Sequence, residues 1–136
     1  MILNTVSQNR LRGVHPDLVR VVRRCAADWK DPETGFIVTQ GLRTIEEQRL
    51  LYKKGATRTL RSRHLTGHAV DLAASVQGLV RWDWPLYAKL AKAMKDAARK
   101  EKVPLEWGGD WKTFKDGPHF QLPWAKYPGA KTGVKK

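Results

Sequence analysis

Residues 62–74 read SRHLTGHAVDLAA, which places His64, His68 and Asp71 within eight positions of one another. Imidazole and carboxylate are the side chains that hold a divalent cation where thiolates are lacking, and Cys25 is the only cysteine of the chain. An internal disulfide and a thiolate cluster are thereby excluded, so a metal here must take His, Asp or Glu. A catalytic zinc needs three protein ligands and one open position. His64 and Asp71 flank Gly67, where the backbone can bend, and Ala69 shares the strand face of Asp71, which leaves room beside the carboxylate. The third ligand must come from another part of the chain. His119, in KDGPHFQL, is the best placed, because Phe120 and Leu122 would anchor the opposite face of its strand. Asp116 lies three residues earlier across a Gly-Pro turn, a short reach for a general base acting on water at such a site.

Each of these residues also has a plainer reading. His15 and His68 read as loop histidines, solvated or held in structural hydrogen bonds. Asp71 reads equally as the cap of a turn, and Asp116, in a DG pair, is by itself an ordinary turn former. Ser62, His64 and Asp71 have the residue types of a serine triad, but the chain has no G-x-S-x-G elbow, and such triads are recognised by geometry rather than by proximity in sequence. Spacing alone leaves the metal site standing beside these alternatives.

The elements that must position these groups show in the hydrophobic pattern. PDLVRVVRRCAADW, residues 16–29, puts Leu18, Val21, Val22, Cys25, Ala26 and Trp29 at helical spacing, with Pro16 in the first turn. GFIVTQ is short and β-branched, a strand after the DPETG turn. Thr44 and Glu47 match a capping box and Gly55 a stop, which predicts a helix over about 45–54. HAVDLAA alternates, with Val70 and Leu72 on one face and Ala69 and Asp71 on the other. WDWPLYAKLAKAMKDAARKEKVP predicts a third helix from about Pro85, with Leu86, Leu90, Met94 and Ala97 as its apolar stripe. PLEWGG and PHFQLP read as two further strands, close enough to pair as in a hairpin. The expectation is an α+β fold: a small, mainly antiparallel sheet, about three helices packed around it, and the metal site on the sheet.

The length of 136 residues suits one domain with its own core. Residues 1–123 are expected to form the catalytic domain, and 124–136 a basic, loosely ordered tail. No secretory signal and no run of about 20 apolar residues is evident, so synthesis in the cytosol without a membrane span is expected. Lys and Arg exceed Asp and Glu to give a formal charge of +13. Such a field attracts polyanions, whether nucleic acid, anionic lipid or wall polymer, without choosing among them.

The stretch S-R-H-L-T-G-H-A-V-D fits S-x-H-x-x-G-x-A-x-D, and with D-G-P-H downstream it resembles the zinc peptidases that cut bacterial wall peptides. That family includes D-alanyl-D-alanine carboxypeptidases, vancomycin-resistance dipeptidases and phage L-alanyl-D-glutamate endopeptidases. The likeness runs from HPDLVRVV at residue 15 through QGLRTIEEQ at 40–48 to WGGDWKTFKDGPHF at 107–120. It implies one zinc ion held by His64, Asp71 and His119, with Asp116 as catalytic base. It also implies Arg43 near the substrate, steadying an oxyanion or a substrate carboxylate, and Gln48 and Ser62 at substrate-binding positions. Asp at position 116, where the carboxypeptidase and dipeptidase branches have Glu, points to the phage endopeptidases. The implied activity is hydrolysis of the L-alanyl-D-glutamate bond in peptidoglycan stem peptides by an endolysin that waits in the host cytoplasm until released. Peptidoglycan is the expected partner of a monomer, with anionic wall or outer-membrane polymers engaged by charge. The alternative branch is the D-alanyl-D-alanine carboxypeptidase.

A nucleic-acid-binding module is the competing class, suggested by the charge, the six Trp and the run TRTLRSRH at 57–64. Trp29 falls on a helix stripe, and Trp82 and Trp84 immediately precede another helix, so packing is their expected use. No RNA-binding signature or zinc-finger spacing is present, and nucleic acid is not expected as a partner.

Overall fold

In the computed structural model the described residues are 1–57 and 59–128. Four α-helices, α1 (Thr5–Arg10), α2 (Pro16–Asp28), α3 (Ile45–Lys53) and α4 (Trp84–Glu101), accompany five strands, β1 (Thr34–Gln40), β2 (Ala69–Val76), β3 (Leu79–Val80), β4 (Glu106–Trp107) and β5 (His119–Gln121). The sheet is antiparallel in the order β1-β2-β5-β4, with β3 pairing β2 as a short hairpin. The α+β expectation therefore holds, with one more helix and one more strand than the pattern indicated.

Local chemistry accounts for the elements that were expected. His15 caps α2 by accepting the Asp17 N–H on Nδ1 at 3.0 Å, and Pro16 opens the helix where its missing N–H costs nothing. Leu18, Val21, Val22, Cys25 and Ala26 are its buried stripe. The capping box of α3 is formed in full, Thr44 Oγ accepting from Glu47 N–H and Glu47 accepting from Thr44 N–H. In α4 the buried stripe is Tyr87, Leu90, Ala91, Met94, Ala97 and Ala98, while Leu86 is only partly covered.

The two additional elements depend on tertiary partners. Asn4 caps α1 by accepting the Ser7 N–H at 2.7 Å, and Ser7 Oγ in turn accepts the Val38 N–H at 2.9 Å, so α1 is tied to the edge of β1. Strand β3 returns through Gln77 and Gly78, both at positive φ, as a two-residue type I′ hairpin turn requires.

Alternation on the strands divides the sheet. Val38, Val70, Leu72, Ala74, Phe120 and Leu122 join the core with α2 and α4, which pack on each other. Phe120 has no exposed surface, and truncating so buried a ring costs about 3–5 kcal/mol. Asp71 and His119 occupy the intervening positions and so project to the other face. The core thereby fixes which residues can form a site.

Trp82 and Trp84 do not pack as expected: they are 66% and 48% exposed, Trp82 stacking on Tyr87 and Trp84 on Trp107. Of the segment expected to be a loose tail, the described part is held in place. The Tyr127 hydroxyl donates to Asp17 at 2.7 Å, and its carbonyl accepts from Arg63 at 2.6 Å. Residues 129–136 lie outside the described part. Among the described residues no helix is long and apolar enough to cross a membrane.

Candidate metal centre and catalytic cleft

Asp71 and His119 face each other as a register pair of β2 and β5. His119 Nδ1 lies 3.2 Å from Asp71 Oδ1, and His64 Nε2 lies 3.3 Å from the same oxygen. One ligand atom from each of the three residues falls within 4.8 Å of the other two. Of the four histidines, the structure thus brings together the two expected at the site. His15 and His68 instead pack on each other at 5.4 Å, with His68 Nδ1 2.6 Å from the Thr66 hydroxyl.

His64 reaches the cluster from a 3₁₀ turn, Arg63–Thr66, whose ends are specified locally. Ser62 caps it by accepting the His64 N–H at 3.1 Å. Gly67 ends it at φ +74°, and a Cβ at this position would sit 2.2 Å from the carbonyl oxygen of Gly13. Both the conformation and the close approach demand glycine. Arg63, buried below, donates to the carbonyls of Leu122 and Tyr127, which staples this turn to the chain leaving β5.

The hydrogen bonds behind the imidazoles determine what they present to the site. His64 Nδ1 lies 2.8 Å from the Gly41 carbonyl, which only accepts, so the ring proton sits on Nδ1 and Nε2 offers a lone pair. On His119 the Nε2 edge is taken by Gln121 Oε1 at 2.7 Å, leaving Nδ1 to face Asp71. With both imidazoles neutral, two lone pairs and a carboxylate converge with no donor of their own, an arrangement that a bound cation or a shared proton satisfies. Two nitrogens and one oxygen in this arrangement suit zinc. Where no cation is bound, a proton on an imidazole supplies the positive charge instead. Burial favours the neutral form of Asp71, but hydrogen bonds and charge from His119 and His64 outweigh it and hold the carboxyl well below its ordinary range. Burial likewise opposes charge on His119, and the bond to Asp71 outweighs it, so the imidazole holds its proton more firmly than usual.

Asp116 lines the same cleft, of about 800 Å³, together with Arg43, Arg61, Trp111 and Trp124. Its loop is pinned on several sides. The Asp116 N–H donates to Gly108 at 3.0 Å, its carbonyl accepts from His119 N–H at 3.2 Å, and Trp107 Nε1 donates to the Gly117 carbonyl at 2.7 Å. A Cβ on Gly108 would lie 2.4 Å from the Asp116 carbonyl oxygen, so the loop approaches this closely only over glycine. Burial and the negative charge of Asp71 raise the Asp116 pKa, against the pull of His119, His64 and Arg43. A carboxylate with raised proton affinity, facing a cleft beside a cation site, is suited to accept a proton there.

Arg43 is nearly buried beside the cluster, its Nη2 3.9 Å from Asp71 Oδ2. Nη1 donates to Gln48 at 2.6 Å, while Nε is buried with no hydrogen-bond partner among the described residues. Gln48 corrects an expectation. It has no exposed surface and therefore cannot touch a substrate; it holds Arg43 with its oxygen and the Thr59 carbonyl with its amide, at 2.6 Å each. Ser62 lines the cleft, and its visible work is the cap under His64. Sequence reasoning missed Trp111, whose ring lies 5.2 Å from that of His119, and Gln121. Strand alternation carried a signal for Gln121, two residues from His119 and hence on the same face.

A family profile described as phage L-alanyl-D-glutamate peptidase matches residues 1–122. The chain is similar to the L-alanyl-D-glutamate peptidase of Listeria phage A118, at 33% identity over 82% of this chain and 39% of that protein, so it spans about two fifths of that relative. It is also similar to the peptidoglycan L-alanyl-D-glutamate endopeptidase CwlK of Bacillus subtilis, at 31% identity over 85% of this chain and 81% of CwlK. Among solved structures, the Serratia marcescens L-Ala D-Glu endopeptidase ChiX superposes with a TM-score of 0.84 at 50% identity, covering 94% of this chain and 95% of ChiX. With nearly all of its described length matched by the profile and by these relatives, the chain belongs to the phage L-alanyl-D-glutamate peptidase family.

Proposed function

We propose that this chain is a zinc-dependent endolysin that hydrolyses the L-alanyl-D-glutamate bond of peptidoglycan stem peptides, with residues 1–123 as its catalytic unit. The observation that carries this reading is the convergence of His64 Nε2, Asp71 Oδ1 and His119 Nδ1 on one point beside the Asp116 cleft wall. The named activities of the relatives support the choice of bond.

His64, Asp71 and His119 would hold the ion, which when bound supplies Lewis-acid polarisation of a carbonyl and acidification of water. Asp116 takes the proton from the attacking water and returns it to the leaving amine. Arg43, which lines the cleft with its Nη2 3.9 Å from Asp71, steadies negative charge on the substrate, whether developing at the reacting carbonyl or standing on a carboxylate of the acidic stem peptide. No covalent acyl-enzyme is needed. The positive field of the chain favours encounter with anionic wall polymers after release from the host cytoplasm.

Digestion of purified peptidoglycan with zinc-loaded protein, followed by mass spectrometry of the new ends, tests the reading. Freed D-Glu amines that disappear on chelation and return with added zinc are expected. Released D-Ala would move the protein to the carboxypeptidase branch, and unchanged cleavage after complete metal removal would reject the metal mechanism.

A further inference from the structure

Beside His119, along the wall of the same cleft, lies a polar chain that the catalytic scheme does not use. His119 Nε2 meets Gln121 Oε1 at 2.7 Å, and Gln121 Nε2 meets Glu106 Oε1 at 3.0 Å. The three residues come from β5 and from the facing position of β4, where Glu106 pairs with Gln121 in register. His119 and Gln121 are both buried, 6% exposed each, while Glu106 is partly exposed at the end of the chain.

We propose that Glu106 and Gln121 are positioning residues that select the ligand atom of His119. The inference rests on the reading of this cluster as a metal centre. A carboxamide presents an acceptor at one end and a donor at the other, and by itself can turn either way. A carboxylate oxygen only accepts, so Glu106 forces the NH2 of Gln121 toward itself and the Oε1 toward His119. That oxygen can only take a proton from His119 Nε2–H. The tautomer left is the one whose Nδ1 lone pair points at Asp71, 3.2 Å away. Reversing the amide would place an NH2 against Nε2, which favours a lone pair there and a proton on Nδ1, inside the ligand cluster.

The connection has a second consequence. His64 is oriented by a main-chain carbonyl, Gly41, which no substitution of a side chain removes. His119 is oriented entirely by side chains, so it is the ligand whose orientation sequence can alter. Outer hydrogen-bond partners of metal-bound imidazoles commonly change metal affinity by about 10–100-fold when removed.

Glu106→Gln is the informative variant, because an amide at 106 can accept or donate and no longer dictates how Gln121 turns. Gln121→Leu removes the link outright. Both are compared with wild type in the full-length protein by two measurements: zinc dissociation constant by competition with a chromophoric chelator, and water exchange of the His119 Nε2 proton by NMR in the zinc-loaded state. The expected result is zinc affinity weakened by about tenfold or more in each variant, with faster exchange of the Nε2 proton in Glu106→Gln. Zinc affinity within twofold of wild type in Glu106→Gln overturns the proposal, and should Gln121→Leu not fold, the Glu106 variant decides alone. A wild-type protein that binds no zinc would instead sink the metal-centre reading on which the proposal stands.

Discussion

His119 Nδ1 stands 3.2 Å from Asp71 Oδ1 across a register pair of adjacent antiparallel strands, joining residues 48 apart in the chain. Neither residue could reach the other without the sheet, and His64 closes the cluster from a turn that is not part of it. Removing one imidazole leaves two ligands, too few for a firm zinc site. His64→Ala is therefore expected to lose nearly all bound zinc, measured by elemental analysis after dialysis against trace metal. Full occupancy in this variant would take His64 out of the ligand set.

Asp116 is the proposed base, and its role should separate cleanly from metal binding. Asp116→Asn preserves the size of the side chain while removing its basicity. Zinc content should remain at the wild-type level, and kcat/KM on a stem peptide should fall by about 10²–10⁴-fold, the usual contribution of a positioned base. Wild-type turnover by the Asn variant would remove Asp116 as the base.

Gly108 controls where Asp116 stands, through space rather than through charge. Its added Cβ would lie 2.4 Å from the Asp116 carbonyl oxygen and 3.1 Å from His119 Cβ, so Gly108→Ala must displace the loop. At Gly55, by contrast, a Cβ meets nothing within 4 Å, and only the positive φ of +77° is strained. Gly108→Ala is expected to lower kcat/KM at least tenfold, because small misplacement of a catalytic group is costly. Gly55→Ala should cost about 1 kcal/mol of stability and leave kcat/KM intact. Equal activity of the two variants would show that the close approach at Gly108 does not matter.

Gln48 supports Arg43 from a fully buried position. Gln48→Leu leaves a buried guanidinium N–H unsatisfied, at a cost of about 1–3 kcal/mol in stability. It also frees Arg43 to move, so kcat/KM should drop while zinc content is unchanged. Chemical denaturation, peptide kinetics and metal analysis on one preparation test the three parts together; unaltered kinetics would mean that Arg43 needs no such support.

His68 predicts a pH effect outside the site. Burial, with the nearby Arg63 and His15 charges, pushes its pKa from 6.5 down to about 4. Between those values the unfolded chain binds a proton that the folded chain refuses, so this residue's contribution is present above pH 6.5 and is lost as pH falls toward 4. In metal-free protein, His68→Gln should show a shallower decline of unfolding midpoint over that window than wild type. Parallel declines in the two proteins would contradict the assignment.

Sequence periodicity was enough to define what depends on near neighbours. The α2 stripe, the Thr44–Glu47 capping box and the alternation of Val70 and Leu72 against Asp71 are all set within one or two turns of chain, and all appear in the fold. The paired motifs around His64 and His119 carried the candidate ligands, since residue type and spacing are properties of the chain itself. Helix α1 and strand β3 were not legible. One leans on Val38, 31 residues away from Ser7, and the other is two residues long, too short for a period to register.

Tertiary structure alone decided which surface the site residues outside the strands show. Gln48 and Arg43 sit five residues apart on a segment whose pattern gives no sign that one is sealed and the other faces the cleft. Glu106 gained its place beside Gln121 from the register of β4 on β5, a long-range pairing that determines which backbone groups meet and hence which side chains stand opposite. Local sequence encodes the periodicity of each element, whereas the orientation of a side-chain amide or the tautomer of an imidazole depends on atoms contributed from distant parts of the chain.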